Sequence, residues 1–448
     1  MHASIKQAVK RHYFWLPLLL GLVLLHSQHQ LDSDEGVVLN AAWNIINGRT
    51  MYLDNFEFIA PLAPYLLAAW WRLSEVSFAS AATLGLCLAS LGALGTYQLG
   101  RLLGLERWRF LPPALFIASS SFWPLINHNA FNLTALIWAL YFIGAAGRKN
   151  SYYLWGGLCS SAGCLFLQHK GLAAYFVLLS YLLLMTFCRR LHYKALIIFT
   201  LSSLAPIGLI LLIWPPSLLY ESLIVFPLGH YIETNAVSSA LLVVSLALAV
   251  ALSLPAFIER RGQKINIKLL LFLFGLVLSA ASLPRADAAH LFQALFPFFV
   301  LTAVSLESIT GRKSDRIIIA LTLIAMVVVA VPRPLFNRSI TNHFVGEIKK
   351  ICPKNQGIYA GPFLPGLYFE LRSLNQIPYS ILITDQQSEA QFIDAADKLA
   401  DKRPHCAVLN YAVVEKFAYN RDNPVDDFIE QNYRLAKTIG NVTIYISN

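Results

Sequence analysis

Long apolar runs, recurring between short charged breaks, constrain this chain more than any other feature. A helix that crosses a bilayer needs about 17–25 mostly apolar residues, because each residue rises about 1.5 Å through a core about 30 Å thick. Roughly eleven runs meet that need, centred near Leu20, Leu88, Phe116, Leu140, Cys159, Leu179, Leu209, Ala247, Leu276, Val300 and Ile324. Only 13% of the 448 residues are charged, against about 25% in an ordinary soluble protein. That composition excludes a soluble globular enzyme and any disordered or fibrous class. The first run follows Lys6, Lys10 and Arg11 and reads as a retained signal anchor.

The net charge of +10 would suggest nucleic-acid binding on a soluble chain. Here it is a matter of sidedness. Alternate loops starting from the N-terminus hold 18 Lys and Arg, from Lys6 to Arg316, whereas the intervening loops hold Arg49, Arg72, Lys170 and Arg285. Basic loops stay in the cytoplasm. The N-terminus is therefore expected inside and the C-terminus outside, as an odd number of spans also requires. The expected home is the plasma membrane of a bacterium, with the tail in the periplasm. The acids run the other way: Asp32, Asp34, Glu35, Asp54, Glu57, Glu75, Glu221, Glu233 and Asp287 fall on the outer side. Acids contribute little to orientation, so an acidic outer face points to function.

Two outer segments stand apart. Residues of about 28–75 form a long first outer loop. Val38, Ala41, Ala42 and Ile45 recur at helical spacing before Gly48, and Pro61 to Leu73 is apolar but too short to span. Both read as helices along the outer interface, where Tyr65, Trp70 and Trp71 suit the headgroup level. From about residue 332 the composition turns polar, and β-type runs appear at Ile358–Ala360, Ile381–Thr384, Ala407–Leu409 and Val442–Ile446, with a helical pattern from Ser388 to Lys402. The expected architecture is a mainly α, polytopic membrane helical bundle over 1–331 and a small extracytoplasmic α/β domain over 332–448. Cys352 and Cys406 in that tail can pair in an oxidising compartment, and the other four Cys read as packing residues of the spans. No CxxC or His-x-x-His pattern marks a zinc site. His343, His405 and the acids of 422–430 read as solvated surface.

The first outer loop carries the chemistry-bearing residues. Asp34 and Glu35 open its first helix and Asp54 follows twenty residues later. Spacing alone makes Asp32 or Asp34 an N-cap and Asp54 a turn residue. The pattern Asp34-Glu35-Gly36, Gly48, Tyr52-x-Asp54, Pro61 and Tyr65 also resembles the first outer loop of GT-C membrane glycosyltransferases, in the branch of the protein O-mannosyltransferases and the lipid A aminoarabinose transferases. The resemblance extends in layout to the whole chain and implies transfer of a sugar from a polyprenyl-phosphate carrier on the outer side of the membrane. It maps the general base onto Asp34, with Glu35 as its neighbour, and a second acidic position onto Asp54. A divalent cation, magnesium or manganese, stays open, with Asp34 and Asp54 as its ligands if one binds.

Physical chemistry agrees with those roles. An acceptor hydroxyl must lose a proton as it attacks the anomeric carbon, which a positioned carboxylate can take. The departing lipid phosphate needs cations. Lys170, inside Gln168-His169-Lys170-Gly171, resembles the family's Lys-Gly step; the bland alternative is a Lys snorkelling at a helix end. Arg285, Asp287 and His290 resemble the family's late outer loop, and read otherwise as ordinary loop polarity. Lys170, His169, Arg285 and His290 are the expected donor-phosphate ligands. Asp32, His128, Asn129, Asn132 and Asp287 are the expected sugar and acceptor contacts. The chain departs from the lipid A branch in having Phe58-Ile59-Ala60 where that branch has a Lys before its Pro.

The expected partners are thus a polyprenyl-phosphate-sugar donor, a lipid, glycan or protein acceptor, and membrane lipid. The alternatives are a flippase of lipid-linked sugars and a surface-polysaccharide polymerase or ligase. A transporter places ionisable groups near mid-span, and the span centres here are almost free of them. A polymerase of that kind uses a large late outer loop, and the late loops here are short. The tail is expected to shape or cover the acceptor site.

Overall fold

The computed structural model describes residues 21–22, 31–147, 149–231, 237–258, 265–309, 338–353 and 357–448. The spans expected at Leu20 and Ile324, most of the signal anchor, Glu233 and the 331/332 boundary lie outside them. In chain order the helices are α1 (Asp34–Ile46), α2 (Leu62–Leu73), α3 (Phe78–Leu102), α4 (Leu111–Ser120), α5 (His128–Ala145), α6 (Asn150–Phe166), α7 (Gln168–Phe187), α8 (Tyr193–Ile210) and α9 (Pro216–Tyr220). Then come α10 (Ala240–Ser253), α11 (Ile265–Ala280), α12 (Ala288–Phe292), α13 (Phe296–Ile309) and α14 (Arg338–Ile351). The tail adds β1 (Ile358–Gly361), α15 (Pro365–Leu371), α16 (Glu389–Lys402), β2 (Cys406–Leu409), α17 (Pro424–Asn432), β3 (Tyr433–Ile439) and β4 (Val442–Ser447).

The chain divides into two compact units. The first comprises 1–27, 83–213 and 237–334, and the second 28–82, 214–236 and 335–448. The second unit thus takes in the first outer loop and the 214–236 segment as well as the tail.

The first unit is a helical bundle. Among the described residues five stretches are long and apolar enough to cross a membrane: Phe78–Leu102, Gln168–Phe187, Tyr193–Ile210, Ala240–Phe257 and Ala288–Ser308. The run expected around Leu209 is displaced, because α8 ends at Ile210 and the apolar stretch after it belongs to the next turn. The run around Phe116 forms only the ten residues of α4, which starts at Leu111 with Pro112 and Pro113 in its first turn and spans about 15 Å at 1.5 Å per residue. Two charged side chains at helix ends have structural duties. Glu307 accepts from Arg107 N and Trp108 N at 3.0–3.2 Å. Lys268 is buried and donates to Ala256 O at 2.5 Å. Of the Cys read as packing residues, Cys164 is buried, whereas Cys87 and Cys188 are exposed.

In the second unit the expected helices of the first outer loop are present as α1 and α2, and α1 is largely covered by protein. Ten of its 13 residues are buried, because α2 packs on one side and α15 of the tail on another. Trp43 Nε1 donates to Ser373 O at 2.9 Å, and Trp71, only 2% exposed, stacks on Phe369 with ring centres 5.0 Å apart. Arg372 lies over both Trp43 and Phe369 and donates to Val76 O at 2.6 Å. Trp71 therefore answers to the protein interior, which explains why its aromatic signal misleads.

The tail forms a four-stranded sheet in the order β1-β2-β4-β3, with β1 and β2 parallel and the other pairs antiparallel. One face carries Ile348, Leu367, Tyr368, Val408 and Ile444, together with Leu31 from the start of the outer loop. The other carries Phe392, Leu399, Val425 and Ile429. The run Ile381–Thr384 is no strand. It follows Pro378, Leu382 N donates to Pro362 O, and Ile383 buries beside Val37 and Phe363. Conversely β3 has no apolar alternation, since most of it is exposed; it is set by its hairpin with β4 across Gly440. α16 starts as its pattern predicts, with Ser388 and Gln391 forming a capping box. Cys352 and Cys406 form a disulfide. Asp426 is not solvated surface: it is buried and accepts from Tyr411, Tyr419 and Asn423 at 2.5–2.8 Å.

Candidate functional site

The residues with expected roles fall into two groups, one in each unit. In the first unit α5 and α7 begin with polar turns that apolar helices cannot tolerate without partners. Asn127 caps α5, its Oδ1 accepting from Asn129 N at 2.5 Å. Asn129 Nδ2 then meets His128 Nε2 at 3.1 Å, and its Oδ1 accepts from Lys170 Nζ at 3.2 Å. Lys170 is fully buried and also donates to His290 O at 3.2 Å. It is therefore not a snorkelling side chain. Its burial depends on Gly171, where any Cβ would collide with the backbone of Gly163 and Cys164. Asn132 donates to Gly163 O at 2.7 Å and so fastens α5 to the same place. His169, next in sequence, is exposed.

His290 joins this group to the late outer loop. Asp287 is the N-cap of α12; its Oδ1 accepts from His290 N at 3.0 Å and from His290 Nδ1 at 2.7 Å. Its Oδ2 accepts from Arg285 Nε at 3.0 Å. Burial pushes the Asp287 carboxyl up, but the His290 hydrogen bond and the charges of His290 and Arg285 outweigh it and hold the group well below the usual carboxylate range. The Asp287 contact at Nδ1 fixes the orientation of the imidazole. Sequence reasoning missed three neighbours. Trp123 donates to Ala289 O at 2.5 Å and sets its ring edge-on to His290 at 4.7 Å. Ser282 Oγ donates to His290 O at 3.1 Å. Gln293, one turn beyond His290, is 1% exposed, and neither end of its amide has a partner among the described residues. No pattern in the sequence marks these, because their roles depend on which helix ends meet.

In the second unit the acid-bearing loop is built around α1. The N-cap is Ser33, whose Oγ accepts from Glu35 N at 3.3 Å, so neither Asp32 nor Asp34 caps the helix. Asp34 is the first helical residue and is partly exposed, whereas Glu35 is fully buried. A carboxylate at the start of a helix is favoured by the positive end of the helix dipole. Asp54 is exposed and its Oδ2 accepts from Thr50 N at 2.6 Å, which gives it the turn role that its spacing allows. Arg49 donates to Asn55 Oδ1 and to Asn375 O. The loop is lined by aromatic rings: Trp214 donates to Met51 O at 2.8 Å and meets Tyr52 and Tyr65 edge-on, and Phe226 packs against Phe56 and Phe58. Glu57, counted in the sequence only as an outer acid, is 4% exposed.

Among the described residues no three His, Cys, Asp or Glu side chains gather as a divalent cation needs. Asp34 and Asp54 are not part of such a group.

No protein-family model matches this sequence, and no curated protein matches it significantly. Solved structures do. ArnT from Cupriavidus metallidurans bound to undecaprenyl phosphate matches with a TM-score of 0.67 at 13% identity, over 97% of both chains. Its apo state gives 0.70 at 12% identity, over 99% of this chain and 98% of that one. The Archaeoglobus fulgidus oligosaccharyltransferase in the apo form gives 0.53 at 12% identity, over 98% of this chain and 75% of that chain. The mycobacterial arabinofuranosyltransferase AftD gives 0.54 at 13% identity, over 97% and 41%. At such low identity the likeness speaks for architecture, and the architecture of this chain is the fold of the GT-C glycosyltransferases.

Proposed function

We propose that this protein is a membrane glycosyltransferase that moves a sugar from a polyprenyl-phosphate donor to a lipid, glycan or protein acceptor on the outer face of the membrane. The observation that carries the reading is Lys170. A fully buried lysine in an apolar helix bundle is costly and marks function by default. Here it is tied to Asn129 and to the carbonyl of His290, at the beginnings of α5 and α7 and not at mid-span. That placement suits an anion's binding end better than a transport path.

In this reading Lys170 and the Arg285–Asp287–His290 chain supply the positive potential that stabilises the departing phosphate. Asp34 takes the proton of the acceptor hydroxyl as its oxygen attacks the anomeric carbon. The carbon–oxygen bond to the phosphate breaks in the same displacement, so the configuration inverts. Asn132 and His128 orient hydroxyls. The disulfide supports an oxidising, extracytoplasmic place for the tail.

Mass spectrometry of lipid that co-purifies with the full chain tests the donor class. The expected result is a polyprenyl phosphate, retained by the wild type and depleted in Lys170→Met. A turnover assay separates transferase from flippase, since only a transferase consumes the sugar-linked lipid. Recovery of the donor unchanged after many cycles contradicts the proposal.

A further inference from the structure

Glu57 is a buried titratable group that the proposed mechanism does not use. It lies in the segment joining α1 to α2 and is buried where that segment meets residues 378–380 of the tail. Phe56 N donates to Pro378 O at 2.9 Å, and the Phe56 ring packs on Tyr379 with centres 5.8 Å apart. On the near side Tyr52 holds a left-handed backbone (φ 67°), its N–H bonded to Asn55 O and its hydroxyl to Ile59 O at 2.6 Å. The Glu57 carboxyl accepts one long hydrogen bond, from Ser380 Oγ at 3.4 Å.

The groups that face it are few. On its own segment there is the neutral phenol of Tyr52. On the tail there is Ser380, with Tyr379 beside it turned to Phe56. On the 214–231 stretch Phe226 packs against Phe56 and Phe58, and His230 lies against the Phe226 ring. Among the described residues no Lys, Arg or His balances its charge. Burial therefore pushes the carboxyl up to about 8, with the Ser380 hydrogen bond opposing.

We propose that Glu57 is a positioning residue: as a neutral carboxyl it locks the acid-bearing segment onto residues 378–380, and on ionising it releases that segment. The consequence for transfer rests on the reading of this loop as catalytic. The conformational claim does not.

The direction follows from linkage. The folded carboxyl titrates higher than the exposed one, so the closed state binds a proton that the opened state lacks. Closure is most favourable below the ordinary value of 4.5 and weakens as pH rises towards about 8. Opening grows by up to about tenfold per pH unit in that window and then levels off.

Hydrogen exchange of the full chain in detergent, from pH 5.5 to 9 and corrected for intrinsic exchange, reads this directly. In the wild type, protection of peptides covering 50–60 and 376–383 falls with pH and then levels. In Glu57→Gln it stays flat across the range. In Ser380→Ala, where the ionised form loses its donor, the levelling moves to higher pH. Parallel pH courses in wild type and Glu57→Gln overturn the proposal. If Glu57→Gln does not fold, an unmoved levelling point in Ser380→Ala overturns it instead. If exchange behaves as expected while transfer rate ignores the same pH window, the latch stands and the catalytic reading of the loop fails.

Discussion

Gly36 of α1 and Gly366 of α15 meet backbone against backbone. A Cβ built on Gly36 would lie 2.7 Å from Gly366 N and would strike Leu31 O; one on Gly366 would lie 3.1 Å from Gly36 Cα. Gly366 N donates to Leu31 O at 2.9 Å across the same contact. The glycine of the Asp34-Glu35-Gly36 pattern is thus a docking surface for the tail. Gly36→Ala is expected to destabilise the protein by about 1–3 kcal/mol through overpacking, measured as a lower thermal midpoint of the purified full chain. An unchanged midpoint shows that the two helices can separate freely.

Asp34 sits beside that contact without serving as the cap, which Ser33 provides. Asp34→Asn is therefore expected to leave folding intact and to cut transfer by about 10²–10⁴-fold, the usual weight of a general base. Donor binding should be unaffected. Normal transfer by folded Asp34→Asn removes Asp34 from the mechanism.

Gln293 offers a test of stability against function. An amide buried with neither end paired among the described residues costs about 1–3 kcal/mol. Gln293→Leu is expected to raise the unfolding midpoint, because it removes polar atoms at nearly constant volume. A lowered midpoint means that the amide is paired in solution.

The Cys352–Cys406 bridge closes a chain separation of 54 residues. Chain-entropy reasoning gives such a loop about 4 kcal/mol. Cys352→Ser with Cys406→Ser should lower stability by roughly that amount, read by denaturant titration of the tail's near-ultraviolet signal. The double variant should also lose all sensitivity of that signal to reductant. Equal stability of wild type and variant would show that the loop is already restrained by its packing.

Truncating the chain near residue 332 is a poor probe of the tail's role. Leu31 belongs to the tail's core and α15 covers α1. Removing the tail uncovers apolar surface on the very loop whose activity is to be measured.

The sequence by itself determined the membrane body, the polar tail, three of its four strands and both helices of the first outer loop. Each rests on a local signal: apolar run length, periodicity of 3.6 or 2, a capping residue, a glycine. It did not determine what those elements touch. Lys170 reads equally well as snorkelling or buried until Gly171 is seen against Gly163 and Cys164. Trp71 reads as an interfacial ring until Phe369 stacks on it. β3 lacks an apolar face and exists only through its pairing with β4. Glu57 is one acid among nine until residues 378–380 bury it. Burial and the pairing of charge depend on which elements meet in space, from the next strand of a hairpin to contacts some 300 residues apart in the chain. No local pattern encodes those, and the tertiary structure alone decided them.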